Sequence, residues 1–135
     1  MKEKLNEVFS KQFEIEPPDS SFNCTMGSCY YSDIHDSKII IMGSPKSFDQ
    51  ILLDLDKDEK KNGIKSYPIT INGVKTRYQE FKLKNEETGQ IIIGQTYLVK
   101  SGENTLMTSV SFPEQKRAEL ELKIQKSLET ITERK

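Results

Sequence analysis

Residues 65–135 are a series of strand-like runs separated by turn signals and closed by one amphipathic helix, and this half of the chain decides what the whole can fold into. Residues 67–71 and 74–83 flank Asn72-Gly73, a dipeptide suited to a two-residue hairpin because both positions tolerate positive φ. After the turn Val74, Thr76 and Tyr78 alternate with Lys75, Arg77 and Gln79, the period of a one-sided strand. Residues 85–89 form a second turn, 90–100 a long strand and 101–104 a third turn. Residues 105–112 then place Leu106, Thr108, Val110 and Phe112 on one face. Pro113 ends that strand and suits the first turn of a helix. Leu120, Ile124, Leu128 and Ile131 follow at helical steps, with acids early and bases late as the helix dipole prefers.

The first half is less regular. Leu5, Val8 and Phe9 have helical spacing, so residues 1–10 read as a short helix, and Pro17-Pro18 breaks the chain. Residues 22–31 read as extended, and Ile39-Ile40-Ile41-Met42 as a buried strand. Ser47-Phe48-Asp49-Gln50 fits a capping box, in which Ser47 accepts from the Gln50 amide and Gln50 reaches back. Phe48, Ile51, Leu52 and Leu55 share one face of the helix that follows, and Gly63 stops it. The order helix, strands, helix, antiparallel meander, helix is that of an α+β domain, a single unit over residues 1–135 with an antiparallel sheet flanked by helices. Two one-sided helices far apart in sequence cover one face each, or share one.

Composition narrows the function classes. Of 135 residues 34% are apolar and 30% charged, and 20 basic side chains against 21 acidic ones leave a net charge of −1. No strong field is present to hold a polyphosphate, which argues against nucleic acid as a partner. No apolar run is long enough to span a membrane. The charged start of the chain lacks the apolar core of a signal peptide, so a cytoplasmic location is expected, the alternative being an exported or lipid-anchored chain whose leader was removed. Cys24 and Cys29 would lie about 17 Å apart on a straight strand, whereas a disulfide needs Cα atoms within about 7 Å. A turn through residues 25–28 could close that gap, so a disulfide and two ordinary thiols both stay open. Asn23-Cys24-Thr25 also matches a glycosylation sequon.

Each near-motif fails at a named position. His35 is the single imidazole, flanked by Asp33 and Asp36 and near Cys29, but no nucleophile elbow or oxyanion loop accompanies it; a solvated turn is expected. Asp54, Asp56 and Asp58 open like an EF-hand loop, yet Glu59 stands where Gly is needed and Lys65 where a bidentate Glu is needed. Residues 43–47 precede a helix N-terminus but lack P-loop glycine spacing. Two cysteines and one histidine fall short of a structural zinc site, and no carboxylate pair stands out for glycosidase chemistry. The aromatics Tyr30, Tyr31, Tyr67, Tyr78, Phe81 and Tyr97 are spaced as strand residues. No catalytic residue, metal or cofactor is expected.

From Ser47 onward the chain resembles the PsbP-like superfamily, which includes the PsbP subunit of photosystem II, DcrB-type lipoproteins, a Ran-binding import factor and effector chaperones of type VI secretion. The resemblance runs through the helix over residues 48–60, residues 69–81 with Asn72-Gly73, Gln95-Thr96-Tyr97-Leu98-Val99, residues 104–113 ending Ser111-Phe112-Pro113, and residues 124–131 with Ser127-Leu128-Glu129-Thr130-Ile131. It implies an α/β/α sandwich that acts by binding another protein without catalysis, as an adaptor, assembly factor or chaperone. An accessory or immunity factor also suits a small chain of this kind, and an exposed edge strand in the meander permits a homodimer as well as a monomer. The alternative is a binder of a small apolar or lipid ligand held between sheet and helix. The binding surface is expected on the sheet face left open by the helices, near Tyr78, Glu80, Gln95 and Tyr97.

Overall fold

The structure, a computed structural model, describes residues 13–26 and 28–133. The helix expected over residues 1–10 lies outside the described residues, as does Gly27 of the expected turn. The elements in chain order are β1 (Phe13–Glu14), β2 (Cys24–Met26), β3 (Cys29–Ser32), β4 (Ser37–Ser44), α1 (Phe48–Asn62), β5 (Ser66–Ile71), β6 (Val74–Lys84), β7 (Ile91–Ser101), β8 (Asn104–Pro113), a 3₁₀ turn (Glu114–Lys116), α2 (Arg117–Leu128) and β9 (Thr132–Glu133). Seven strands form one antiparallel sheet in the order β2-β3-β4-β8-β7-β6-β5, and β1 pairs with β9 in a separate ladder.

The expected meander is present. Asn72 and Gly73 both have positive φ, 52° and 75°, the left-handed pair that a two-residue hairpin of this hand requires. β4 does not join the sheet beside the strand that follows it. It pairs with β8, Ile39 opposite Val110 and Ile41 opposite Thr108, so the chain crosses through α1 to reach the far edge at β5. The segment expected as one extended run is the hairpin β2–β3, with Met26 opposite Cys29.

The two helices take one face each, giving the α/β/α sandwich. On one face, Leu120, Ile124 and Leu128 of α2 are fully buried in one core with Tyr97, Val99, Leu106, Val110 and Phe112. Phe13, Ile15 and Phe22 of the first segment join this core. On the other face, Ile51 and Leu55 of α1 pack on Leu98, with Phe48, Leu52 and Met107 around them. Two expectations are corrected at helix ends. α2 stops at Leu128, so Ile131 is buried from the connection to β9 rather than from the helix. At α1, Ser47 accepts from the Gln50 amide at 3.2 Å, but the Gln50 side chain donates forward to Asp54, so only half of the capping box forms. Gly63 closes α1 in the left-handed conformation, as expected.

Truncation on the larger core face should be costly. Ile124→Ala, at a position with no solvent exposure, is expected to cost about 2–5 kcal/mol in urea denaturation, whereas Leu122→Ala on the outer face of α2, 68% exposed, should stay within about 0.5 kcal/mol of the parent.

Candidate functional site

The fold brings Tyr78, Glu80, Gln95 and Tyr97 together, since Tyr78 lies opposite Tyr97 and Glu80 opposite Gln95 across β6–β7. It places them on the face covered by α2, which corrects the expectation of an open surface there. The Tyr97 hydroxyl donates to Gln95 Oε1 at 2.6 Å and accepts from Gln125 Nε2 at 3.2 Å. Gln95 Nε2 in turn donates to Glu80 at 3.0 Å and to Glu121 at 2.8 Å. Arg117, at the start of α2, pairs with both carboxylates. The rings of Tyr78 and Tyr97 stack at 4.8 Å, and burial pushes the Tyr97 hydroxyl far above its usual pKa. These side chains form a polar clasp between sheet and helix. Buried groups so fully partnered hold a helix in one position, and they leave little donor or acceptor capacity for a ligand.

The open surface is on the opposite face. Because side chains alternate along a strand, Leu98 and Met107 share their face with Thr96 and Gly94 of β7, Ser109 and Ser111 of β8, Lys38, Ile40 and Met42 of β4, and Phe81 and Leu83 of β6. α1 packs over Leu98 and Met107. Met42, at the β4 end of that row, is 51% exposed, and Phe81 and Leu83 further along β6 are 42% and 68% exposed. Large apolar side chains gathered on one uncovered face are the informative kind of exposure. Between them lies a trough of about 230 Å³, lined by Lys38, Ile40, Phe81 and Gly94 with the short side chains of Thr96, Ser109 and Ser111. Residue patterning alone missed this site. A signal was available in Gly94, a glycine inside a long strand pattern, and in the serines alternating with Val110 and Phe112.

The remaining candidates find structural roles. His35 is buried rather than solvated, a correction with a clear cause: its Nε2 meets Asp19 Oδ2 at 3.0 Å, a residue far from it in sequence, and neither Asp33 nor Asp36 orients it. Asp19 also accepts from the Ser21 hydroxyl, which bonds Ser32, and Ser32 accepts from the His35 amide. This group ties the loop before β2 to the β3–β4 turn. The hydrogen bond from Ser21, first among the causes, holds the Asp19 carboxyl below its ordinary pKa of 3.8. Asp54, Asp56 and Asp58 all lie in α1, where Asp54 accepts from Lys46 and Asp56 from Arg77, so they do not converge. Residues 43–47 cap α1 beside an open polar cleft of about 650 Å³ in which Lys46 and Lys100 are balanced by Asp49 and Glu103. The hairpin register sets Cys24 opposite Tyr31 and Cys29 opposite Met26. The register therefore leaves the two cysteines offset by two residues on paired strands rather than directly opposite, and Cys29 is a free cysteine.

No family model matches the sequence, and no curated protein does. Solved structures share the fold. A protein from Bacteroides thetaiotaomicron aligns with a TM-score of 0.56 at 14% identity, over 92% of this chain and 48% of its own. This chain therefore spans about half the length of that protein. LpqN of Mycobacterium tuberculosis, which is involved in cell envelope biogenesis, aligns with a TM-score of 0.48 at 10% identity, over 92% of this chain and 79% of its own. The cytoplasmic expectation is corrected here: the charged N-terminal residues behind it do not fix a compartment. Among the described residues no helix is long and apolar enough to cross a membrane. The shared architecture is a small antiparallel sheet between helices.

Two measurements check this assignment of roles. Arg117→Met removes the cation shared by Glu80 and Glu121, and should cost about 1–3 kcal/mol in chemical denaturation, because two carboxylates are left against one amide. For Asp19 the folded pKa is depressed, so its stabilisation is present above the ordinary value of 3.8 and is lost as pH falls below it. The stability gap between the parent and Asp19→Asn should be full at pH 7 and shrink as pH falls below that value.

Proposed function

We propose that this domain is a non-catalytic accessory module that binds a partner protein with the uncovered half of its α1 face. One observation carries the reading. α2 and its polar clasp close one side of the sheet, while on the other side Met42, Phe81 and Leu83 stand exposed, and among the described residues no helix lies over the trough lined by Ile40, Phe81 and Gly94. The layer that would hold a ligand between sheet and α2 is filled by Tyr97, Leu106, Ile124 and Leu128. The absence of catalysis is part of the proposal. It is supported by the engagement of His35 with Asp19 and by the lack, among the described residues, of any cluster of three or more His, Cys, Asp or Glu side chains able to hold a metal. The finer assignment, an adaptor or chaperone of PsbP-like type working outside the cytoplasm, belongs to the same proposal.

A second reading is favoured by the trough itself. A recess of this size with Ile40 and Phe81 at its walls would accept a small apolar or lipid group. It is smaller than the roughly 300–1,000 Å³ of drug-sized sites, so the group would be narrow and would lie on the open face, rather than between sheet and helix.

The protein reading is tested by affinity capture from native cells. Met42→Asp combined with Leu83→Asp should lose the captured partner, while Leu53→Asp combined with Leu122→Asp, at exposed apolar positions on the helices, should keep it. Equal recovery with both double variants would rule the open half-face out.

A further inference from the structure

We propose that the trough beside α1 is a site for a single-chain amphiphile with a carboxylate head, of which a free fatty acid is the simplest form. The proposal rests on the reading of the uncovered half-face as a binding face and names the ligand class its trough would take.

Gly94 is the starting point. It lies in the interior of β7, a central strand of the sheet, where a glycine weakens the strand and gives up side-chain packing. The fold supplies no reason for it. Its φ is not positive, and a Cβ placed there would meet no atom within 4 Å. Phe81 stands directly opposite across β6–β7, yet none of its atoms comes within 4 Å of that Cβ position. The missing side chain therefore leaves a vacant strip in the floor of the trough, the arrangement expected where something approaches the backbone closely.

The row containing Gly94 gives the occupant its polarity. Lys38 is opposite Ser111, Ser111 opposite Gly94, and Gly94 opposite Phe81. Three strand spacings separate the ends of this row, about 14 Å. Lys38 is exposed and has no ion-pair partner among the described residues, and no carboxylate lines the trough. A head group at Lys38 can accept from its ammonium and from the Ser111 hydroxyl. A chain running from there crosses Gly94 and ends on Phe81, with Leu83 two residues further along the strand. The charge that complements this row is one anion at one end of a narrow apolar body. A bilayer surface would call for several cations around protruding apolar groups, whereas here a single lysine stands at the end of a recess, so the ligand is one free molecule.

The test is a titration of the full chain with decanoate at concentrations where it is monomeric, followed by backbone amide NMR. Saturable one-to-one binding is expected, with shifts running along β4, β8, β7 and β6 at the row from Lys38 to Phe81. Lys38→Glu should weaken binding at least tenfold, and decanol should bind at least tenfold more weakly than decanoate. Gly94→Val should abolish binding while its denaturation midpoint stays equal to or above the parent's, since the new side chain fills empty space and suits a strand. The proposal is overturned by absence of saturable binding, by equal affinity for decanol, by binding that survives Gly94→Val, or by attachment to anionic phospholipid vesicles without binding of monomeric decanoate. If decanoate fails while a protein partner is still captured in a manner that depends on Met42 and Leu83, the ligand class is wrong and the binding face stands.

Discussion

The pairing of β4 with β8 is the constraint on which the rest of the structure depends. It is a long-range ladder, Lys38 opposite Ser111 through Ser44 opposite Thr105, that joins the first part of the chain to the middle of the meander. Its register decides which side chains share a face, because a slip of one residue would exchange the two faces along the whole strand. With the register observed, Ile39 and Ile41 enter the α2 core, and Lys38, Ile40 and Met42 are delivered to the other side. The crossover it demands also fixes where α1 lies, and so how much of that side stays uncovered.

The two faces answer different physical needs. On the α2 face a large apolar core is combined with the clasp made by Gln95, Tyr97, Glu80, Glu121 and Arg117, whose donors and acceptors satisfy one another. Such a layer is costly to open. On the α1 face the contact is smaller, Ile51 and Leu55 on Leu98, reinforced by Arg77 reaching Asp56 and Glu59. The remainder of that face combines exposed apolar groups with short side chains, an arrangement that adds little to the stability of the isolated domain and offers apolar area to a partner.

Much of the chain from Ser47 onward was legible because its signals are local. Asn72-Gly73, the alternation of Leu106 through Phe112, the Ser47 cap and the Gly63 stop each act over a few residues, and each appears in the fold. What sequence patterning could not supply were relations between distant segments. Nothing near His35 announces Asp19 as its partner, and nothing in residues 13–14 announces β9. The four residues expected at the binding surface show the same limit. Their spacing correctly groups them on adjacent strands, but which face a helix will cover depends on the path of the chain after Pro113. The alternation of a strand is symmetric between its two faces, so Tyr97 and Gln95 went to the buried side, and Gly94 and Thr96 to the open one.

The central claim, that the uncovered half of the α1 face is where this domain binds, is tested most directly by methyl NMR of the methionines. Met42 and Met107 are opposite one another across β4–β8, the first half exposed and the second packed beside α1. On titration with an extract of native cells, the Met42 methyl resonance should shift or broaden saturably, with a much smaller response at Met107. Saturable changes confined to the outer surfaces of α1 and α2, with Met42 unmoved, would contradict the account.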